Sequence, residues 1–200
     1  MHPLDKMNMS EQDLINIEVH NAFEAIKAGG IILYPTDTVW GIGCDATNPE
    51  AVKKIYNLKQ RDESKSMIVL MNSDRMLYQV FNNIPETAFQ ILDLAEKPTT
   101  IILDNPRNVA PNLIGPDKTL GMRMVKEPFC YKLMERMKKP LVSTSANISG
   151  APTPTKFQEI SHLILDGVDY IVNLHHDKVA ANPSSIIKLG NDMTVKVIRP

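Results

Sequence analysis

The chain has 200 residues, 43% hydrophobic and 22% charged, a composition that fits a soluble globular protein and excludes a disordered or fibrous one. Lys plus Arg number 22 against 23 Asp plus Glu, and a net charge of −1 is poor material for a protein whose main task is gripping nucleic acid. Cys44 and Cys130 stand far apart, without a Cys or His at metal-ligand spacing, so neither a disulfide scaffold nor a metal site is expected and a reducing cytoplasmic compartment is the simplest home.

No apolar run reaches the roughly 20 residues of a membrane helix, and the first ten residues carry no apolar signal core. Ser10 and Asp13 form a capping-box pattern ahead of Ile15, Val19, Ala22, Phe23 and Ile26, which repeat at helical spacing until Gly29-Gly30. Ile31 to Tyr34 reads as a short buried strand stopped by Pro35. Asn48 and Pro49 open a second helix with Val52, Ile55 and Tyr56 on its apolar face, running into the charged stretch Lys59 to Lys65. Met67 to Met71 is a further buried strand. A helix follows Pro85 and leads to a strand over Thr99 to Leu103; Asn105 to Lys118 is a loop. Leu120 to Val125 alternates as a two-faced strand. A helix after Pro128 leads to the strand Leu141-Val142, and Ser143 to Thr155 reads as a polar loop. Late strands are expected over Tyr170 to Leu174, Ser185 to Leu189 and Val195 to Ile198. The pattern predicts one α/β domain over residues 1–200, with a mixed parallel and antiparallel sheet flanked by helices and residues 1–9 as a flexible lead.

The sequence contains no P-loop, no G-x-S-x-G elbow and no H-E-x-x-H. Gly41, Gly43 and Ala46 match G-x-G-x-x-A, but the helix starts too late for a dinucleotide turn, and a tight turn is the simpler expectation. His175-His176 reads as a solvated turn. The informative feature is a set of three polar segments, each following a buried strand. They are Pro35-Thr36-Asp37-Thr38-Val39-Trp40-Gly41, the cations Lys59, Arg61 and Lys65, and Ser143-Thr144-Ser145-Ala146-Asn147-Ile148-Ser149-Gly150 with Pro154-Thr155. Small hydroxyl residues beside Gly leave N–H and O–H groups free for phosphate or sugar oxygens, and Lys and Arg add charge-assisted bonds of roughly 1.5–3 kcal/mol. Together the three segments predict an anion-binding site.

These segments, with Thr119-Leu120-Gly121-Met122-Arg123, Pro183-Ser184-Ser185 and Ile198-Arg199-Pro200, resemble the threonylcarbamoyl-AMP synthase family, the YrdC-like proteins, in its single-domain form. The resemblance implies the YrdC-like fold and formation of threonylcarbamoyl-AMP and pyrophosphate from L-threonine, bicarbonate and ATP, with Mg²⁺ accompanying the nucleotide. The product would pass to a partner transferase complex that modifies tRNA, with weak tRNA contact by this chain. Position by position, it implies that Thr36, Arg123 and Ser185 contact threonine and that Lys59, Arg61 and Lys65 bind the triphosphate and carry catalysis. Thr119, Ser145, Asn147, Thr155 and Arg199 fall on nucleotide positions, joined there by Arg61 and Lys65. The chain departs from the family pattern at Ser66 and at Glu96-Lys97-Pro98. The reaction needs no protein nucleophile, since the substrates supply every reacting atom, which suits a sequence that offers none. The rival reading is a non-catalytic RNA-binding module using the same cations; a dinucleotide-dependent reductase is a third.

Overall fold

A computed structural model describes residues 9–63, 67–190, 192 and 194–200. Helix α1 (Glu11–Lys27) begins as its capping box requires: the Asp13 amide donates to Ser10 Oγ, and the Ser10 amide to Asp13 Oδ2, each at 3.2 Å. Its apolar stripe of Ile15, Val19, Ala22 and Ile26 is buried, and Gly29 ends it with a φ of 79°. Strand β1 (Ile32–Tyr34) follows and pairs antiparallel with β2 (Gly41–Gly43). Gly41 and Gly43 therefore lie in a strand, not in the expected tight turn. The cause is local crowding: a Cβ on Gly43 would stand 2.2 Å from the Val142 carbonyl and 2.8 Å from the Tyr34 ring.

Helix α2 (Pro49–Lys59) is capped by the Asn48 side chain and buries Val52, Ile55 and Tyr56. Beyond it come β3 (Ile68–Met71), α3 (Asp74–Val80), α4 (Glu86–Leu94), β4 (Thr99–Asp104) and β5 (Thr119–Met124). The sequence pattern leaves α3 unassigned because seven residues are less than two turns, too few to display a helical period, although Met76, Leu77 and Val80 bury one face. Helix α5 (Pro128–Met137) leads into β6 (Leu141–Ser145), and short α6 (His162–Leu165) into β7 (Tyr170–Ile171), β8 (Ser185–Leu189) and β9 (Val195–Arg199).

These strands form one mixed sheet in the order β7-β1-β2-β6-β3-β5-β4-β8-β9. Three pairs are parallel (β1/β7, β3/β5, β4/β8) and the other five antiparallel, the mixed sheet that the sequence predicts. Three expectations change. Ser143 to Ser145 belongs to β6 and not to a loop: a strand between β2 and β3 pairs its backbone on both sides whatever its side chains. Its polarity reflects a cavity over it rather than an end to the strand. The strand at Tyr170 stops after two residues because the Asn173 amide turns to the Glu18 carboxylate at 2.9 Å. His176 is half-buried, its ring stacked on Phe157 at 3.9 Å and edge-on to Trp40, because the turn folds back over the loop after β6. The expected flexible lead lies almost wholly outside the described residues, as do Lys65 and Ser66.

Candidate active site

The three polar segments converge on one cavity of about 270 Å³ over the middle of the sheet. The turn between β1 and β2 contributes Thr38 and Val39, with Gly41 at its end; the end of α2 contributes Arg61; β6 and the loop after it contribute Ser143, Thr144, Ser145 and Thr153. Arg123 from β5 and Arg199 from β9 complete the cationic lining, beside Thr100 and Ser184. Among the described lining residues there is no carboxylate.

Each guanidinium arrives by a different local device. Gln60 ends α2 in the left-handed region at φ 50°, and the Arg61 amide then donates to the Tyr56 carbonyl at 2.9 Å, turning Arg61 off the helix axis toward the cavity. Arg199 sits on β9, where its Nε donates to the Ser184 carbonyl at 2.8 Å, tying β9 to the residue that leads into β8. Arg123 is 3% exposed; Nη1 donates to Thr38 Oγ1 at 2.9 Å, and Nη2 is 2.9 Å from Asp37 Oδ1.

Lys59 is treated differently by the fold. It is 1% exposed, and its ammonium donates to the Ser145 carbonyl and, at 2.5 Å, to the Asn147 carbonyl. The Lys59 carbonyl in turn accepts from the Ser149 amide at 2.8 Å. Burial, with the Arg61 charge close by, pushes its pKa down to about 7. Lys59 therefore stitches the end of α2 to the loop after β6 and does not line the cavity.

The remaining sequence-derived positions divide as follows. Ser145 lines the cavity, its hydroxyl donating to Asn147 Oδ1 at 2.5 Å. Asn147 lies outside the lining and folds the loop, donating to the Ala151 carbonyl at 2.6 Å. Thr155 is also outside; its amide and hydroxyl both go to Glu159, and Thr153 occupies the wall instead. Thr119 donates to Asp117 at 2.7 Å, at the far end of β5 from Arg123. Ser185 is buried outside the lining, while Ser184 and Ile186 line it, because successive side chains at a strand face opposite ways. Thr36 holds its own turn: its hydroxyl donates to the Val39 carbonyl at 2.7 Å and accepts from the Thr38 amide at 3.0 Å. It faces a second cavity of about 400 Å³ on the other side of that turn.

Some lining residues lay in the segments named from sequence but were given no individual role there: Thr38 beside Thr36, Ser143 and Thr144 beside Ser145, Ser184 beside Ser185. Strand alternation at β8 was the available signal for the last. Thr100, which shares a hydrogen bond of 2.9 Å with Ser184, sits in a run that reads simply as apolar strand.

Comparison with known proteins places this architecture. The Sua5/YciO/YrdC family model, described as "Telomere recombination", matches residues 24–200. A threonylcarbamoyl-AMP synthase of Acinetobacter baumannii is 32% identical over 199 residues, covering 94% of this chain and 100% of that protein. One from Idiomarina loihiensis is 33% identical over 178 residues, covering 88% and 95%. Among solved structures, P. abyssi Sua5 complexed with L-threonine aligns with a TM-score of 0.80 at 26% identity, covering 96% of this chain, which spans only 55% of that one. E. coli YciO aligns with a TM-score of 0.79 at 26% identity over 92% of this chain and 89% of its own. The chain belongs to the Sua5/YciO/YrdC family.

Proposed function

We propose that the protein is a threonylcarbamoyl-AMP synthase, a nucleotidyltransferase that joins L-threonine, bicarbonate or CO₂, and ATP into threonylcarbamoyl-AMP and pyrophosphate. The observation that carries this reading is the convergence of Arg61, Arg123 and Arg199, from segments remote in sequence, on one hydroxyl-lined cavity. A site with three guanidiniums and no carboxylate in its described lining suits polyanions, and it supplies charge without offering a competing nucleophile. The names of the relatives support the same reaction.

In this reading Arg123 takes the threonine carboxylate deep in the cavity. The threonine amine adds CO₂, losing a proton, to give an N-carboxylate. One oxygen of that carboxylate attacks the α-phosphorus of ATP, the bond from that phosphorus to the bridging oxygen breaks, and pyrophosphate leaves with the electron pair. Arg61 and Arg199 neutralise charge that grows on the leaving phosphates, and the hydroxyls of Ser143 and Ser145 orient phosphate oxygens. Mg²⁺ would accompany ATP as part of the MgATP substrate and would help neutralise its phosphates; the described wall offers no carboxylate to hold it. Lys65, the third cation of the sequence pattern, belongs to the same phosphate-binding group. The product then passes to a transferase complex acting on tRNA in the cytoplasm; no described helix is long and apolar enough to cross a membrane.

The test is to incubate purified protein with MgATP, bicarbonate and one amino acid at a time, following pyrophosphate and the acyl-adenylate by mass spectrometry. Threonine should yield threonylcarbamoyl-AMP, and valine should be rejected by several orders of magnitude, because a site that hydrogen-bonds a hydroxyl leaves its own polar groups unpaired when that hydroxyl is missing. Equal turnover of the two, or RNA binding with no ATP-dependent product, would overturn the proposal.

A further inference from the structure

Arg123 is a cation enclosed by protein, and such a charge needs a partner and a fixed orientation. Both come from two consecutive residues of one turn. Thr38 accepts from Nη1, and the Asp37 carboxylate stands 2.9 Å from Nη2. That turn is itself held at several points. The Thr36 hydroxyl bridges Thr38 and Val39, the Ala181 amide donates to the Thr38 carbonyl at 2.8 Å, and Cys130 Sγ donates to the Pro35 carbonyl at 3.6 Å beneath it.

The placement of Asp37 matters most. It lines the second cavity, on the outer side of the turn, while Arg123 lines the first. The 2.9 Å contact between Asp37 Oδ1 and Nη2 is an ion pair without hydrogen-bond geometry, and Arg123 Nε, likewise buried without a hydrogen-bond partner, is left unspent. An acceptor arriving in the first cavity meets a guanidinium already oriented and already charge-compensated.

We propose that Asp37 is the positioning residue for Arg123, fixing its guanidinium from outside the substrate cavity so that its remaining N–H groups receive the amino-acid carboxylate. This rests on the assignment of Arg123 to that carboxylate, and Asp37 itself touches no substrate. Removing the Asp37 charge leaves a buried guanidinium free to reorient toward whatever acceptors it finds, so the site must pay for order when threonine binds.

The experiment is initial-rate kinetics of the full chain and of Asp37→Ala, Asp37→Asn and Asp37→Glu, varying threonine and MgATP separately. It is paired with a thermal-stability cycle combining Asp37→Asn with Arg123→Met. The Ala and Asn variants should raise KM for threonine about tenfold while leaving KM for MgATP near the parent value, and Glu should restore most of the loss. In the cycle, Asp37→Asn should lower Tm in the parent and have little effect once Arg123 is Met. A threonine KM that stays unchanged, an equal rise in both KM values, or an absent coupling in Tm would each overturn the proposal. A fall in KM for threonine would overturn it too, since Asp37 would then be competing with substrate for the guanidinium. If strong Tm coupling is found but Arg123→Met leaves threonine KM untouched, the assignment of Arg123 fails and the inference falls with it. If Asp37 variants leave KM alone while Arg123→Met raises it, only the inference fails.

Discussion

Lys59 and Arg61 stand two residues apart, carry the same formal charge and belong to one sequence motif, yet the fold uses them in opposite ways. Lys59 is the last residue of α2 and points inward, where its ammonium satisfies two carbonyls of the loop after β6. Arg61 follows the left-handed residue Gln60 and so leaves the helix on the cavity side. The difference is geometric before it is electrostatic: one positive-φ residue between them reverses the direction in which the chain presents its cations. A compact ammonium with three donors suits the task of collecting backbone carbonyls, whereas a planar guanidinium suits phosphate.

The comparison breaks most sharply at Arg61. Arg61→Ala should lower threonine- and bicarbonate-dependent pyrophosphate release by about 100-fold or more, mainly in kcat, because the charge it offsets develops as pyrophosphate leaves. A KM effect alone, with kcat intact, would assign Arg61 to ground-state binding of ATP.

Lys59 should show the reverse balance. Lys59→Met removes the tie between α2 and the β6 loop and leaves the carbonyls of Ser145 and Asn147 without that donor. Activity should fall about 10- to 100-fold through displaced loop residues, accompanied by a clear loss in Tm. If Lys59→Met lost activity with Tm unchanged, Lys59 would be a phosphate ligand like Arg61.

A pH series sharpens the same contrast. Lys59 titrates near 7 in the fold against an ordinary value of 10.5. Between these values the unfolded chain holds a proton that the folded chain has released, so stability from this group rises with pH across that window and its burial cost is felt in full below pH 7. The Tm difference between parent and Lys59→Met should therefore widen as pH is raised from about 7 to 9, other groups cancelling in the difference. A gap that stays constant over that range would mean that Lys59 keeps its proton in the fold.

Much of this was legible in the sequence, for reasons that particular residues make clear. Caps and periodic faces, such as Ser10 with Asp13 or Asn48 with Pro49, are local, and the helices they announce are present. The convergence of the polar segments was legible only in part: the Pro35 segment does follow a buried strand, but Arg61 follows helix α2 and Ser143 to Ser145 lie within β6. Side-chain direction was not legible. Whether Ser184 or Ser185 faces the cavity depends on the register of β8 against β4, and whether Lys59 or Arg61 reaches it depends on one dihedral at Gln60. Ser143 to Ser145 misled for a related reason: polarity signals a loop only when nothing else requires polar groups in a strand, and here the cavity does.

The smallest expected effect concerns a cation on the same sheet that the fold has already spent. Lys188 lies on β8, one end of which carries Ser184 into the cavity wall, and its ammonium pairs with Asp117 at 2.6 Å. The hydrogen bond and charge of each hold the Asp117 carboxyl below, and the Lys188 ammonium above, their ordinary pKa values. Both side chains are substantially solvated, 34% and 54% exposed, so water and salt screen the pair. Lys188→Ala should keep pyrophosphate release within about twofold of the parent, with Tm lowered by less than about 4 °C. Asp117 also accepts from Thr119, which gives the variant a second use. A loss confined to KM for MgATP would place the nucleotide along β5 as far as Thr119, because releasing Asp117 from Lys188 would disturb that hydroxyl first. A loss in kcat as large as that of Arg61→Ala would mean that positive charge anywhere on this sheet drives the reaction, and the distinction between Lys59 and Arg61 would no longer follow from where their side chains end.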